Sequence, residues 1–179
     1  MGNRMVIVDG KEEWISRSIV VSAYIFASNN DGKIYVLANK RGVGTPSNHH
    51  KWNVPTGYLD YDETLAEGSC REIWEETGIR LKPEQLKMVR ILDTPHGKKQ
   101  NVAVRFCAFL EEKTSDFVFS TEHMEPNEVE DVQWIPITDI NSYKWAFGNE
   151  VAIREVLSTE DGIKFQHKKV LGYSLVNNL

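Results

Sequence analysis

Cysteine is scarce in this chain of 179 residues, with Cys70 and Cys107 the only two. Two cysteines make no disulfide framework, so a reducing cytoplasm is the expected setting. No apolar run approaches the roughly 20 residues that a membrane-spanning helix needs, so no membrane partner is expected. The opening MGNRMVIVDGKEEW lacks the long apolar core of a secretory signal. Val6 stands where an N-myristoylation motif wants Ser or Thr. Long basic runs are missing as well. Lys and Arg number 21 against 26 Asp and Glu, a net charge of −5, which argues against a nucleic-acid polymer as partner. An anionic small molecule would therefore need something other than net charge to attract it.

What is present reads as one domain over 1–179, with a core at about 16–157 and a tail at 158–179. A hydrophobic share of 41% and a charged share of 26% are ordinary for a globular chain. SRSIVVSAYIF (16–26) and IYVLANKR (34–41) are β-branched and aromatic, and the turn NNDGK (29–33) between them makes a hairpin. GVGTPSNHHK (42–51) is a loop long enough to suspect a role in binding. WNVPTGYL (52–59) is short and extended, and further strands fall at 86–92, 102–110 and 132–137. A last helix covers 148–157. Helices that interrupt strands singly indicate a mixed α+β layered domain.

One helix carries the chemistry. Thr64 with Glu67 three residues on is a capping box, and Gly78 sits where a left-handed C-terminal residue belongs, bracketing 65–77. On a helical wheel Ala66, Ser69, Cys70 and Ile73 share the core side. Glu72, Glu75 and Glu76 fall within an arc of about 100° on another side. Gly68 lies in that arc one turn earlier, and its missing side chain would let a backbone or ligand approach the acidic stripe. Like charges at this spacing cost a few tenths of a kcal/mol each. A solvated face is the ordinary explanation for such a stripe. Three carboxylates within one turn also match what a hard divalent cation requires. Mg²⁺ works through oxygen ligands together with substrate phosphates, and it reverses the local sign of the field. Arg71 precedes Glu75 by four residues and can hold its rotamer.

The stretch GYLDYDETLAEGSCREIWEETGI (57–79) resembles the Nudix box at every fixed position: Gly57, Glu63, Arg71, Glu72, Ile73, Glu75, Glu76, Gly78 and Ile79. A chance match at a given start is roughly one in a billion from average residue usage. LANKR with KWNVPTG before the box, and VQWIPITDI after it, are also similar to the family. Thr56 departs from the pattern, where a second glycine is common. The resemblance implies a Nudix α/β/α sandwich with a mixed central sheet. It also implies hydrolysis of a nucleoside-diphosphate derivative, a small nucleotide, with Mg²⁺ or Mn²⁺ as cofactor. It assigns metal ligation to the Gly57 carbonyl, Glu72 and Glu76. Glu75, held by Arg71, either binds metal or orients the attacking water. Glu63 and Gly78 are structural members of the box.

Satellite candidates follow. Many relatives add a carboxylate from the loop before the closing strand, which here offers Glu122, Glu125, Glu128, Glu130 and Asp131. Glu128, six residues before Trp134, has the best spacing. Arg105 lies on an otherwise buried strand and needs a partner, either substrate phosphate or an acidic side chain of the core. Arg41 matches a common family arginine; Lys51, His49 and His50 flank the binding loop, where an ordinary solvated role competes. Tyr58, Tyr61 and Trp52 could stack on a base or simply pack, and Cys70 reads as inert. Pro95 falls sixteen residues after Ile79, which resembles relatives that cleave ADP-ribose; a plain turn is the ordinary explanation, so ADP-ribose and nucleotide sugars rise only slightly above other substrates. Two rivals share the fold. An isopentenyl-diphosphate isomerase wants a cysteine before the helix, where this chain has WNVPTGYLD. A non-catalytic sensor usually loses box carboxylates and carries a DNA-binding domain, and the stretch after 157 is short for one. The oligomeric state, a homodimer included, is left open by the sequence.

Overall fold

The computed structural model describes residues 4–93, 100–120, 122–123 and 127–176. It opens on a hairpin missing from the sequence reading: β1 (Arg4–Val8) and β2 (Lys11–Ile15) pair antiparallel. Asp9 and Gly10 form its turn with φ of 49° and 79°. An Asp-Gly pair between alternating apolar residues is the local signal that would have found it.

The expected hairpin at 16–41 forms from β3 (Ile19–Ser28) and β4 (Ile34–Arg41), with Phe26 opposite Val36. Gly32, at φ 74°, supplies the left-handed turn residue. The extended stretch after the loop divides into β5 (Trp52–Asn53) and β6 (Thr56–Tyr58), the latter antiparallel to β3. β7 (Lys87–Asp93) pairs antiparallel with β8 (Val102–Lys113), and β8 runs parallel to β3. β9 (Val129–Pro136) closes on β4. The result is a seven-stranded mixed sheet ordered β5-β4-β3-β8-β7, with β6 on β3 and β9 on β4.

Both faces of this sheet are covered. Ala23, Ile25 and Ala27 point toward Ile73 of α1 (Leu65–Thr77). Tyr24 and Phe26, on the opposite face, meet Ala152, Ile153 and Val156 of α2 (Asn149–Leu157). Hence β3 is buried almost throughout rather than alternately, as a central strand between two helical layers must be. The three layers are those of the Nudix sandwich.

The sequence reading ends its elements at 157, and the structure adds α3 (Glu160–Val176). The Thr159 hydroxyl accepts the Gly162 N–H at 3.2 Å near the start of this helix. Phe165 packs into the α2-side core, its ring 5.1 Å from Phe109. Burying a side chain of that size contributes about 2 kcal/mol. The acidic residues of the helix's first turn, Glu160 and Asp161, were a further sign of it. No helix among the described residues is long and apolar enough to cross a membrane.

Candidate active site

The local chemistry of α1 fixes its ends. Thr64 Oγ1 accepts the Glu67 N–H at 3.3 Å, and Glu67 Oε2 accepts the Thr64 N–H at 2.8 Å, a complete capping box. Gly78 ends the helix at φ 78°, its N–H bonded to the Trp74 carbonyl at 2.8 Å. A Cβ on Gly78 would also lie 2.6 Å from the Ser120 backbone nitrogen, so glycine is required for space as well as for conformation. Ile73 and Ser69 are buried on the core side; Ala66 and Cys70 are only half-buried. Burial pushes the Cys70 thiol up to about 11, which favours the protonated form over the reactive thiolate.

The acidic stripe is not a solvated face. It turns inward, against β6. Glu76 is 4% exposed, and its Oε2 accepts the Thr56 N–H at 3.0 Å. The Glu72 carboxylate lies directly over Gly57, where a Cβ would fall 1.9 Å from Oε1. Gly57 is therefore a matter of space: any side chain would displace that carboxylate. Gly68 serves a different purpose from the one expected. A Cβ there would meet Glu63 Oε1 at 2.7 Å and Leu59 Cδ1 at 2.9 Å, so the room it leaves is taken by box residues rather than by a ligand.

Arg71 organises the whole stretch. Its Nε and Nη2 donate to the two Glu63 oxygens at 3.0 and 2.8 Å, a bidentate fork. Nη1 donates to Glu72 at 2.8 Å and to Glu75 at 3.0 Å, and Nη2 also donates to the Tyr58 carbonyl at 2.9 Å. The expected Arg71–Glu75 pair thus exists within a larger cluster, and Glu63 is the anchor that the sequence spacing did not reveal.

Burial raises the Glu72 carboxyl from its ordinary 4.5 to about 7, against the lowering pull of Arg71 and with added repulsion from Glu75 and Glu128. Glu76 is pushed well above its ordinary value, first by burial and then by the Glu72 charge. Three carboxylates, Glu72, Glu76 and Glu128, therefore feel one another in a poorly solvated space. Among the described residues no three His, Cys, Asp or Glu side chains stand as a ready-made metal cage. Here Arg71 holds Glu72 and Glu75, while Glu76 is turned to the Thr56 N–H.

A cavity of about 700 Å³ begins at Thr56 and Gly57 and extends across the α2 side of β3 and β8. Arg41, Arg105 and Glu128 all line it, although they are distant in sequence. Arg41 is buried, its Nε bonded to the Ser47 carbonyl at 3.1 Å and its guanidinium 5.1 Å from the Phe147 ring centre. Arg105 finds its acidic partner at the surface rather than in the core: Nη1 reaches the exposed Glu155 at 3.3 Å, and the residue also lines the cavity. The Gly42 N–H donates to the Glu128 carbonyl at 2.7 Å, which ties the 42–51 loop to the segment bearing Glu128. Lys51 is not brought into this group; it bonds Asn48 at 3.0 Å and is absent from the cavity lining.

The remaining acidic candidates separate. Glu130 pairs with Lys40 at 3.1 Å and His50 at 2.5 Å, Asp131 bonds within its own strand, and Glu122 is exposed. Glu125 and Pro95 lie outside the described residues. Of the aromatic candidates, Tyr58 lines the cavity, Trp52 is buried against Tyr143, and Tyr61 is exposed near Glu13. Sequence reasoning missed Phe147 and the buried chain Tyr24–Asn149–Asn53, all of which line the cavity. Only the tertiary fold brings them there.

Comparisons with known proteins show the family and the fold. The family model for the NUDIX domain matches residues 18–156. Phosphatase NudJ of Escherichia coli strain K12 is 31% identical over 100 residues, which cover 56% of this chain and 54% of NudJ. The chain spans about half the length of the curated relatives it matches. The NUDIX domain of Shewanella oneidensis NrtR, solved with ADP ribose, superimposes with a TM-score of 0.64 at 22% identity, covering 80% of this chain and 90% of that one. The Nudix hydrolase RenU of M. smegmatis gives 0.61 at 19% identity, covering 89% and 97%. At such identities these two likenesses show the fold.

Proposed function

The chain belongs to the Nudix family, and from that premise we propose that it hydrolyses a phosphoric anhydride in a nucleoside-diphosphate derivative, using Mg²⁺ or Mn²⁺. One observation carries the reading: the buried Glu76 and the partly buried Glu72 lie against Thr56 and Gly57, where a cavity holding two arginines begins. Buried carboxylates that raise one another's pKa need either protons or a cation. Their hard oxygen atoms suit Mg²⁺, so the residues fit the cofactor. Glu72, Glu76 and the Gly57 carbonyl would hold it. When bound, the cation neutralises charge developing on the leaving phosphate and makes water a better nucleophile near neutral pH.

The chain's own groups supply the rest. Arg71, bonded to Glu75 at 3.0 Å, keeps that carboxylate oriented to take the proton of the attacking water. Glu128, which lines the cavity and adds to the repulsion on Glu72 and Glu76, is the further carboxylate. Arg41 and Arg105 bind the phosphates from within the cavity, offsetting the repulsion an acidic chain would present. Water adds to one phosphorus, the bridging oxygen leaves with the other, and a nucleoside monophosphate and a phosphorylated remainder are released. ADP-ribose and nucleotide sugars are the first substrates to try, on the spacing of Pro95 and on a cavity in the size range of small-molecule sites. A hydrolysis panel over ADP-ribose, nucleotide sugars, dinucleoside polyphosphates and nucleoside triphosphates tests the reading. Release of monophosphate only when Mg²⁺ or Mn²⁺ is present is expected; no hydrolysis of any of the four classes would overturn it.

A further inference from the structure

The start of β9 is irregular where it meets β4. Lys40 pairs with Asp131 but Arg41 pairs with Val129, so β9 carries one residue more than β4 at this point. The extra residue is Glu130, whose carboxylate takes Lys40 and His50. An inserted residue of this kind changes the side to which the following side chains point, and bulges beside active sites re-aim residues in this way. Glu128 lies just beyond it and lines the cavity.

The backbone there is held by the first turn of the 42–51 loop. The Gly42 N–H donates to the Glu128 carbonyl at 2.7 Å, and the Gly44 N–H to the Asn127 carbonyl at 2.8 Å. Asn127 is itself left-handed at φ 63°. Gly42 is buried and is not one of the left-handed glycines, so conformation does not demand it. Space does. A Cβ on Gly42 would lie 2.0 Å from the Asn127 carbonyl oxygen and 3.1 Å from the Glu128 carbonyl carbon. Both are backbone atoms, so no change of rotamer relieves the clash.

The loop side of this contact is fixed. The Arg41 N–H donates to the Lys51 carbonyl at 2.9 Å, the His50 N–H to the Arg41 carbonyl at 2.7 Å, and the buried Thr45 hydroxyl to the Gly42 carbonyl at 2.7 Å. A side chain at position 42 would therefore displace Asn127 and Glu128 and leave Arg41 in place. Burial lowers the Arg41 pKa while the Glu76 and Glu128 charges oppose that shift, so guanidinium and carboxylate already act on each other across the site.

We infer that Gly42 is a positioning residue, whose N–H and missing side chain together set the Glu128 carboxylate against Arg41 and the acidic pair. The inference rests on the hydrolase reading, in which Arg41 binds phosphate and Glu128 is a working carboxylate, and adds what fixes the spacing between them.

Amide hydrogen exchange on the full metal-free chain reads the contact without turnover. In wild type the Gly42 and Gly44 amides should exchange at least roughly tenfold slower than unstructured amides. Gly42→Ala should speed the Gly44 amide about tenfold and leave the Arg41 amide, bonded within the loop, as slow as before. Steady-state kinetics read the function. Gly42→Ala should lower kcat roughly 10- to 100-fold with KM within about threefold, as for a displaced reacting group rather than a lost binding group. In a Glu128→Gln background the same substitution should cost less than about threefold, because a residue that acts through Glu128 then has nothing to position. Three results would each refute the inference: free exchange of both amides in wild type, a Gly44 amide that stays slow in Gly42→Ala, or an equal loss of kcat in both backgrounds. The hydrolase reading fails separately, when wild type cleaves none of the four substrate classes, and the exchange measurement still decides the Gly42 contact.

Discussion

The acidic helix and the cavity beside it are built by different rules. The acidic cluster comes from one unbroken stretch, Gly57 to Gly78, which meets the cavity at Gly57 and Tyr58 and in which Arg71 alone binds Glu63, Glu72, Glu75 and the Tyr58 carbonyl. The cavity gathers Tyr24 from β3, Arg41 from the end of β4, Asn53 from β5, Arg105 from β8, and Phe147 and Asn149 from the start of α2. Chemistry at the first is local and over-determined, so it can be written as a motif. The lining of the second depends on which strands lie side by side, and a small shift in any connecting loop would alter it.

If that division holds, substitutions in the acidic cluster should act on the catalytic step and those in the cavity on affinity. Glu76→Gln should have the largest effect, abolishing metal-dependent hydrolysis by roughly 10³-fold or more, as expected for a lost metal ligand. The fold should survive, because the amide oxygen can still accept from Thr56 and resembles the neutral acid. Calorimetry should show loss of Mg²⁺ uptake in this variant, and unchanged turnover would remove Glu76 from the mechanism. Arg71→Ala should lower kcat by roughly 10- to 100-fold through misplaced Glu75 and Glu72, in the range of other supporting-residue losses. Arg71→Lys should rescue little, since an ammonium cannot reproduce the fork on Glu63. Arg105→Ala should act mainly on KM, raising it about tenfold, a loss of roughly 1.4 kcal/mol. An unchanged KM would assign Arg105 to its Glu155 pair alone, leaving the cavity with one phosphate-binding cation fewer.

The smallest effect concerns pH. Glu72 in the metal-free protein holds its proton more tightly than in the unfolded chain, with a value of about 7 against an ordinary 4.5. Its contribution to stability is therefore fully present below about 4.5 and is lost as pH rises through about 7. The metal-free Tm should gain a few degrees from this group between pH 8 and pH 5.5, since 1 kcal/mol moves the midpoint by about 2–4 °C in a domain of this size. Glu72→Gln should flatten that part of the profile. Mg²⁺ should raise Tm more at pH 8 than at pH 5.5, because it competes with the proton for the same carboxylate. Thermal scans with and without the metal check both statements.

How much was legible follows the same division. The bounds of α1, its capping box, the αL glycine and the Arg71–Glu75 pair could all be read because each involves residues within four positions of one another. The inward direction of the acidic stripe was not legible. A wheel gives the angle between Glu76 and Ile73, but only the position of β6 makes that side an interior. Gly68 shows the limit clearly, since the space it leaves is filled by Glu63 and Leu59 from the preceding turn. The β1–β2 hairpin and α3 were missed despite local signals, an Asp-Gly turn in one and an acidic first turn in the other. Phe147 carried no such signal, because an aromatic before Gly-Asn looks the same whether it packs in a core or stands over a cavity.

The sequence by itself determined the mixed α+β class and the acidic helix, and through the box resemblance the family and its three-layer fold, because helix caps and box spacing are short-range properties of a chain. The tertiary structure decided which cations meet that cluster and where an aromatic ring is held in the open. Those depend on burial and on contacts between residues up to 125 positions apart, as in the Tyr24–Asn149 hydrogen bond, and no local pattern encodes them.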